Sequence, residues 1–475
     1  MNQMHHLSVA DQLRALRGGE FTSRELTEHY LDRITKLDAE LGAFVTVDPE
    51  LAFRDADRAD EQLARGEHIP LGGIPIGIKD LHATAGLATS FGSAALAGHV
   101  PTDDDWTVGL IRRAGAVVVG KTNAPEFGVA CYVDAVVTPV PAVTPYDTGR
   151  YSSGSSGGAA TAVAAGLLPI AHASDGAGST RTPAAACHLV GIKPSRGLVS
   201  LAPGTSFLAA GIEGPLARTV EDAALLLEVM ARPPAQDLYG WTPDDTSLAE
   251  AGRLHPGRPL KIAWWTDTGL TGVEPHPESV RAVRRTVDLL RCLGHDVREI
   301  APPAQQDTAA SAIGDMLAAS ATMRTKMQVP ADKRALLTAH TRNLTTVGER
   351  MTGVDVLLMQ ATLARFASDF LAGLNDFDVT LTPTTSGPPV PLGHFEAEGI
   401  ERVNERMLAW SCYTPWANLT GQPAVSLPSH VDDDGLPYSV QLVGRIRQDA
   451  TLLSLAAQLE HEGLWDVVHP PHWFR

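Results

Sequence analysis

The spacing of apolar residues in the first quarter of the chain changes from a helical to a strand period. Residues 7–66 carry apolar positions at helical spacing, which predicts a helical N-terminal part. Residues 74–78 read Ile-Pro-Ile-Gly-Ile, which predicts a short strand that ends at Lys79. A helix is predicted over 107–114 and a buried β-branched strand over 116–119. A strand, a helix and a second strand in this order are typical of a layered α/β fold.

Two loops of serine and glycine follow. The first covers residues 150–158 and the second covers 174–179. A helix of small residues is predicted between them, over 159–166, and its composition indicates burial among neighbouring elements. A further helix over 219–231 has Thr219 as its expected N-cap.

The second half of the chain returns to alternating strands and helices after a stretch rich in Pro, Asp and Gly. That stretch, 232–258, is predicted to be a linker or surface insertion. The elements expected beyond it are strands at 260–264, 379–382 and 424–427, a helix at 278–293, and a mainly helical segment at 305–375.

We expect one sheet to be built from both sides of residues 232–258. The fold class is then α/β, a single large domain over 1–475 with a mixed central β-sheet covered by helices on both faces. Within it, 67–230 is the expected catalytic core and 305–375 a helical insertion on the substrate side.

Charge and composition narrow the class of function. The 475 residues carry a formal net charge of −17, which argues against binding to phosphate backbones. The four cysteines form no C-x-x-C pair, which fits a reducing compartment. No signal peptide and no membrane-spanning run are apparent, so we expect a cytoplasmic location. The histidines form no metal-binding motif, and neither a metal nor another cofactor is expected.

The two serine loops and the lysine strand together indicate nucleophilic chemistry. A serine hydroxyl is a poor nucleophile until a base removes its proton. A lysine can be that base if burial lowers its pKa, and Lys79 closes an apolar strand. Glycines before Ser179 allow backbone N–H groups to surround an oxyanion.

These residues resemble the amidase-signature family, and the resemblance covers nearly the whole chain. The central match is Ser155-Ser156-Gly157-Gly158, followed by the run from Ser174 to Ala185. The further matching segments, in chain order, are 73–80, 120–127, 191–194, 418–424 and 434–437. Several long motifs in the right order make chance agreement improbable.

The resemblance implies a role for each matching residue. Ser179 is the nucleophile, Ser155 is the bridging serine that follows a cis peptide, and Lys79 is the base. The expected oxyanion hole comprises the N–H groups of Gly176, Ala177 and Gly178, with Ser179 as a further donor. The supporting residues are Asp175, Arg181 and Ser156. Ala177 departs from the family, which usually has glycine there, and alanine disfavours a positive φ.

Two other motifs are present but are rejected on their context. Residues 115–122 satisfy the P-loop pattern, but their centre, Ala-Val-Val-Val, is typical of a strand rather than an exposed phosphate loop. Residues 154–158 satisfy G-x-S-x-G, which would make Ser156 a nucleophile. No convincing strand precedes it, and the second glycine loop would have no role.

The substrate is predicted only as a class. The closest resemblance is to bacterial amidases of the aminohexanoate cyclic-dimer hydrolase, aryl-acylamidase and urethanase types, so esters and carbamates stay open beside amides. The expected substrate wall includes Gly128, Cys131 and Tyr132, parts of 305–375, and 410–416.

The expected partners are a small-molecule amide and at most a second copy of the chain; neither nucleic acid nor a membrane is expected. One alternative is an amidotransferase A-type subunit that releases ammonia from glutamine within a complex. A second is a binding protein without activity, which the intact Lys79, Ser155 and Ser179 oppose.

Overall fold

A mixed sheet forms the centre of the molecule in a computed structural model, which describes residues 3–202, 210–243 and 246–475. Within these residues the sheet has eleven strands in the order β1-β3-β2-β6-β8-β7-β12-β13-β11-β9-β10, and β4 and β5 form a separate pair. The strands are β1 (Phe44–Val47), β2 (Pro75–Lys79), β3 (Val117–Thr122), β4 (Val143–Thr144), β5 (Asp147–Tyr151), β6 (Ile170–Asp175), β7 (Val190–Lys193), β8 (Ile212–Ala217), β9 (Lys261–Trp264), β10 (Asp296–Glu299), β11 (Val379–Pro383), β12 (Ala424–Val431) and β13 (Pro437–Gly444).

The helices surround this sheet. They are α1 (Val9–Gly18), α2 (Ser23–Leu41), α3 (Pro49–Ala64), α4 (Trp106–Arg113), α5 (Gly157–Ala164), α6 (Arg181–Ala186), α7 (Val220–Met230), α8 (Leu248–Ala251), α9 (Pro277–Cys292), α10 (Asp307–Gln328), α11 (Ala339–Gly348), α12 (Gly353–Ala372), α13 (Val403–Ser411), α14 (Pro415–Thr420) and α15 (Asp449–His461). None of the helices that the structure describes is long and apolar enough to cross a membrane.

Helices bury both faces of the sheet. Successive residues of a strand point in opposite directions, so each strand contributes side chains to both layers. In β3, Val118 packs into one core and Val117 and Val119 pack into the other. The first core also receives residues of α1, α7, α9 and α15, and the second receives residues of α2, α3 and α5. The predicted single α/β domain with helices on both faces is confirmed, and strands from both sides of residues 232–258 share one sheet.

The N-terminal part differs from the prediction in one respect. Residues 7–66 form three helices, but β1 lies between α2 and α3 and pairs antiparallel with β3 at the sheet edge. The stretch 232–258 contains the short helix α8, and Asp244 and Asp245 in it lie outside the described residues. Thr219 caps α7 as predicted, with its side chain accepting a hydrogen bond from the Asp222 N–H.

The order of strands brings the lysine and the second serine loop together. β2 and β6 are parallel neighbours, so both end at the same edge of the sheet. Lys79 is the last residue of β2, and Asp175 is the last residue of β6. Side chains at the carboxyl ends of adjacent parallel strands converge, which places the site at this edge.

Candidate active site

Lys79 lies beside the first serine loop. Its Nζ is 2.8 Å from Ser155 Oγ and donates to the Ser174 carbonyl at 3.0 Å. The side chain is fully buried, and burial lowers the pKa of Lys79 to about 7, against the opposing influence of Asp175 and Glu213. A lysine with this pKa is neutral in part at neutral pH and can accept a proton.

The two serine loops are joined by hydrogen bonds. The Gly154–Ser155 peptide is cis, as the resemblance implies. The Ser156 N–H donates to the Ser179 carbonyl at 3.1 Å. The Thr182 hydroxyl donates to the Gly154 carbonyl at 3.1 Å. Ser155 and Ser179 therefore belong to one packed unit.

Ser156 supports this unit instead of facing the cavity. Its hydroxyl donates to the Ser174 carbonyl at 3.1 Å and accepts from the Ser174 N–H at 3.3 Å. The residue is fully buried at the start of α5.

Lys121, from the rejected P-loop pattern, lies in strand β3 and donates to Thr84 Oγ1 at 2.7 Å.

A buried ion pair holds the second serine loop. Arg181 and Asp175 make two hydrogen bonds of 2.9 Å, and neither side chain is exposed. Burial raises the pKa of Asp175, but Arg181 outweighs it and holds that pKa well below its usual range. The Asp175 carboxylate also accepts from the Gly178 N–H at 2.7 Å and the Thr180 N–H at 3.2 Å. The pair thus sets the path of the backbone on both sides of Ser179.

The bond from Gly178 alters the expected oxyanion hole. The Gly178 N–H is already donated to Asp175, so it does not face a substrate. Within the residues that the structure describes, the N–H groups of Ala177 and Ser179 have no acceptor. Gly178 has φ of 126°, and a Cβ there would lie 2.1 Å from Thr414 Oγ1. Ala177 has no positive φ, so alanine is not strained at this position.

The site opens into a cavity of about 920 Å³. Ser155, Ser179, Gly128 and Cys131 line it, together with parts of α10 and Ser411 and Pro415. A Cβ on Gly128 would lie 3.4 Å from Ser155 Oγ and 2.6 Å from a Leu81 methyl carbon, so glycine leaves room there.

Tyr132, the third residue of the expected wall, is not among the residues that line this cavity. It is buried, stacks on Phe395 and donates to Glu396 at 2.8 Å. Whether Gly128 and Cys131 contact a substrate stays a prediction.

Two further groups lie at the site although they are distant in the sequence from the serine loops. The first is Glu213 with its two histidines. Glu213 lies 2.7 Å from His172 Nε2 and 3.3 Å from His82 Nδ1. Burial opposes the charged form of His82, but Glu213 and Asp105 outweigh it and raise the pKa of His82. Within the described chain, ligand atoms of His82, His172 and Glu213 lie within 4.8 Å of one another, and the contacts above already pair them.

Asn418 is the other group that sequence reasoning missed as a site residue. Its side-chain amide donates to Asp175 Oδ1 at 2.9 Å, and its oxygen accepts from Arg181 at 2.6 Å. The only available signal was its position in the 418–424 motif, which indicated the family but no partner.

Known proteins are similar to this chain in sequence and in fold. The Amidase family model matches residues 25–453. The chain is 37% identical over 470 residues to the putative amidase AmiB2 of Mycobacterium tuberculosis (strain ATCC 25618 / H37Rv), covering 96% of each chain. It is 32% identical over 467 residues to an acylamidase of Rhodococcus erythropolis, covering 97% of this chain and 96% of the other.

Solved structures of other proteins share the fold of this chain. A 6-aminohexanoate cyclic dimer hydrolase complexed with substrate has a TM-score of 0.91 at 26% identity, covering 99% of this chain and 100% of the other. The A-type component of glutamyl-tRNA(Gln) amidotransferase from Thermotoga maritima has a TM-score of 0.76 at 26% identity, covering 96% and 94%. The chain belongs to the amidase (amidase-signature) family. It is an enzyme of the kind that hydrolyses the C–N bond of amides.

Proposed function

We propose that the protein hydrolyses a carboxylic amide through an acyl-enzyme on Ser179, with Ser155 and Lys79 as the proton relay. The observation that carries this proposal is the 2.8 Å contact between Lys79 Nζ and Ser155 Oγ in a fully buried setting. The contact between the Ser156 N–H and the Ser179 carbonyl supports it, because it holds the two loops together.

The proposed proton transfers pass between these three side chains, and each side chain returns to its starting state at the end of the cycle. Neutral Lys79 takes the proton of Ser155 as Ser155 takes that of Ser179, and Ser179 Oγ attacks the amide carbon. The tetrahedral intermediate collapses as the proton returns through Ser155 to the leaving nitrogen, which releases the amine. Water then attacks the ester by the same relay and releases the acid.

The N–H groups of Gly176, Ala177 and Ser179 are proposed as donors to the oxyanion. Gly178 is left out because its N–H binds Asp175. Removal of one oxyanion-hole donor costs about 2.7–4 kcal/mol of transition-state stabilisation in a well-studied serine hydrolase, so such donors supply a large part of catalysis. Asp175 and Arg181 act on this hole indirectly, by holding the backbone that carries the donors.

The test is replacement of the nucleophile. Ser179→Ala removes the acyl acceptor, so we expect kcat on an anilide substrate to fall by about 10⁴-fold or more with folding unchanged. Ser156→Ala is the matched variant, and we expect it to keep measurable turnover because Ser156 only supports the loops. Mass spectrometry after rapid quenching should find the acyl group on the peptide that contains Ser179. Near-normal activity of Ser179→Ala, or an acyl group on Ser156, would exclude this mechanism.

The amidotransferase alternative has weaker support, since the amidotransferase structure has the lower of the two TM-scores. Turnover of simple amides by the isolated chain opposes that alternative, and co-purification with partner chains would favour it. The same assay with anilides, esters, carbamates and cyclic oligoamides also defines which acyl bonds are cleaved.

A further inference from the structure

Helix α10 supplies part of the lining of the cavity. Its contribution is mostly apolar, from Ile313, Met316 and Leu317. Two charged side chains of α10 also line the cavity: Asp307 at the start of the helix, which accepts from the Thr271 hydroxyl, and Arg324, which is half-buried. Within the described chain, Arg324 is the only lysine or arginine among the residues that line the cavity.

The guanidinium of Arg324 has no hydrogen bond and no ion pair within the part of the chain that the structure describes. Burial lowers its pKa, and the negative charge of Asp105 opposes that shift. The Asp105 carboxylate lies beyond ion-pair distance from Arg324 and instead accepts from the Ala83 N–H at 3.0 Å. A guanidinium stays charged at all accessible pH values, and removing an unpaired charge from water is costly.

The buried carboxylates that line the same cavity are already neutralised. Asp175 pairs with Arg181, and Glu213 pairs with His82 and His172. Four less buried carboxylates also line the cavity, and among the described residues none of them is within ion-pair distance of Arg324: Asp105, Asp307, Glu401 and Glu405. Arg324 therefore contributes a positive charge without an ion-pair partner beside an apolar surface. The planar fork of a guanidinium suits a carboxylate, which it can bind with two parallel hydrogen bonds.

We propose that Arg324 forms a subsite for a carboxylate on the substrate, and that the preferred amides carry this group at the end of an apolar chain. The proposal rests on the proposed function, since it assumes that the scissile amide sits at Ser179. It assigns substrate selection to a side chain that takes no part in the chemistry.

The test compares two matched series of 4-nitroanilides. One series is the mono-anilides of succinic, glutaric and adipic acid, and the other replaces the carboxylate by a methyl ketone of nearly the same shape. A hydrogen-bonded charge pair corresponds to about 10- to 150-fold in an equilibrium constant. We therefore expect kcat/KM to favour the acid at least about tenfold at one chain length or more.

Arg324→Met should remove that preference and leave the ketone within about twofold of the wild-type value. Arg324→Lys should restore part of it, because the charge returns without the fork. Arg365→Met is the matched control: it removes one exposed arginine from α12, outside the cavity, and should change neither series.

Binding is measured separately, so that the subsite and the mechanism can fail independently. On a Ser179→Ala background, calorimetry should show the acid binding about tenfold tighter than the ketone, with the difference lost in Arg324→Met. Equal affinities for acid and ketone, or an equal loss of both in Arg324→Met, would overturn the subsite. Retained turnover by Ser179→Ala would overturn the mechanism instead.

Discussion

The buried pair of Asp175 and Arg181 permits a prediction about both stability and catalysis. Asp175→Asn keeps the shape of the side chain but removes its charge and replaces one oxygen with an N–H₂ group. Arg181 then has an uncompensated charge with 0% of its side chain exposed. One of the two 2.9 Å bonds to Arg181 is lost at the same time, together with an acceptor for either the Gly178 or the Thr180 N–H.

The expected cost follows from this burial. Breaking a buried pair by removing one partner costs about 3–5 kcal/mol of the free energy of unfolding. The exposed pair of Arg24 and Asp57, with side chains 51% and 53% exposed, provides the comparison. Removing its charge through Asp57→Asn should cost at most about 1 kcal/mol, since exposed pairs contribute little.

The assay is urea denaturation of both variants, under conditions where refolding is complete, with kcat/KM measured on the folded enzymes. Asp175→Asn should also lower kcat/KM by about a hundredfold, because the backbone before Ser179 shifts. Asp57→Asn should leave it unchanged. A destabilisation of Asp175→Asn no larger than that of Asp57→Asn would refute the role given to this pair.

Two more predictions concern the same edge of the sheet. Gly178→Ala should lower the free energy of unfolding by at least about 2 kcal/mol, because the alanine Cβ clashes with Thr414 and alanine disfavours the positive φ. Gly176→Ala is the control: its Cβ has open space, so it should cost less than about 1 kcal/mol. Equal thermal stabilities of the two variants would contradict that account. The pH dependence of kcat/KM should rise through about pH 7 in the wild type as Lys79 loses its proton. Glu213→Gln removes a negative charge that raises the pKa of Lys79, so the rise in kcat/KM should move to lower pH. An unchanged profile, or a shift to higher pH, would show that Glu213 does not act on Lys79.

Much of the core of the site was predictable because its signals are local. Lys79 ends an alternating strand, and the serines lie in glycine-rich loops that match the family. The contacts that Arg181 makes with Asn418 and Gln441 were not predictable, because more than 230 positions separate Arg181 from each of them and no local pattern names their partner. The position of Tyr132 outside the cavity lining was not predictable either, because sequence adjacency to Cys131 does not tell which side of the loop faces the cavity.

Strand β8 shows a second reason for failure. Gly214 and Pro215 lie at its centre, and both residues argue against a strand in sequence analysis. In the structure a Cβ at position 214 would lie 2.0 Å from the Ile192 carbonyl oxygen, so glycine is what allows β7 to approach. The glycine that makes this strand hard to recognise in the sequence is therefore required by its close packing.

The cavity is lined by elements of two kinds, and this has a practical consequence. The proposed reacting groups come from β2, β6 and the two loops beside them, whereas α10 lines another part of the cavity and contributes none of these groups. Substitutions on α10 can therefore change the accepted amide while the bond-cleaving apparatus stays intact. This division makes α10 the first target for redirecting the enzyme to a new amide.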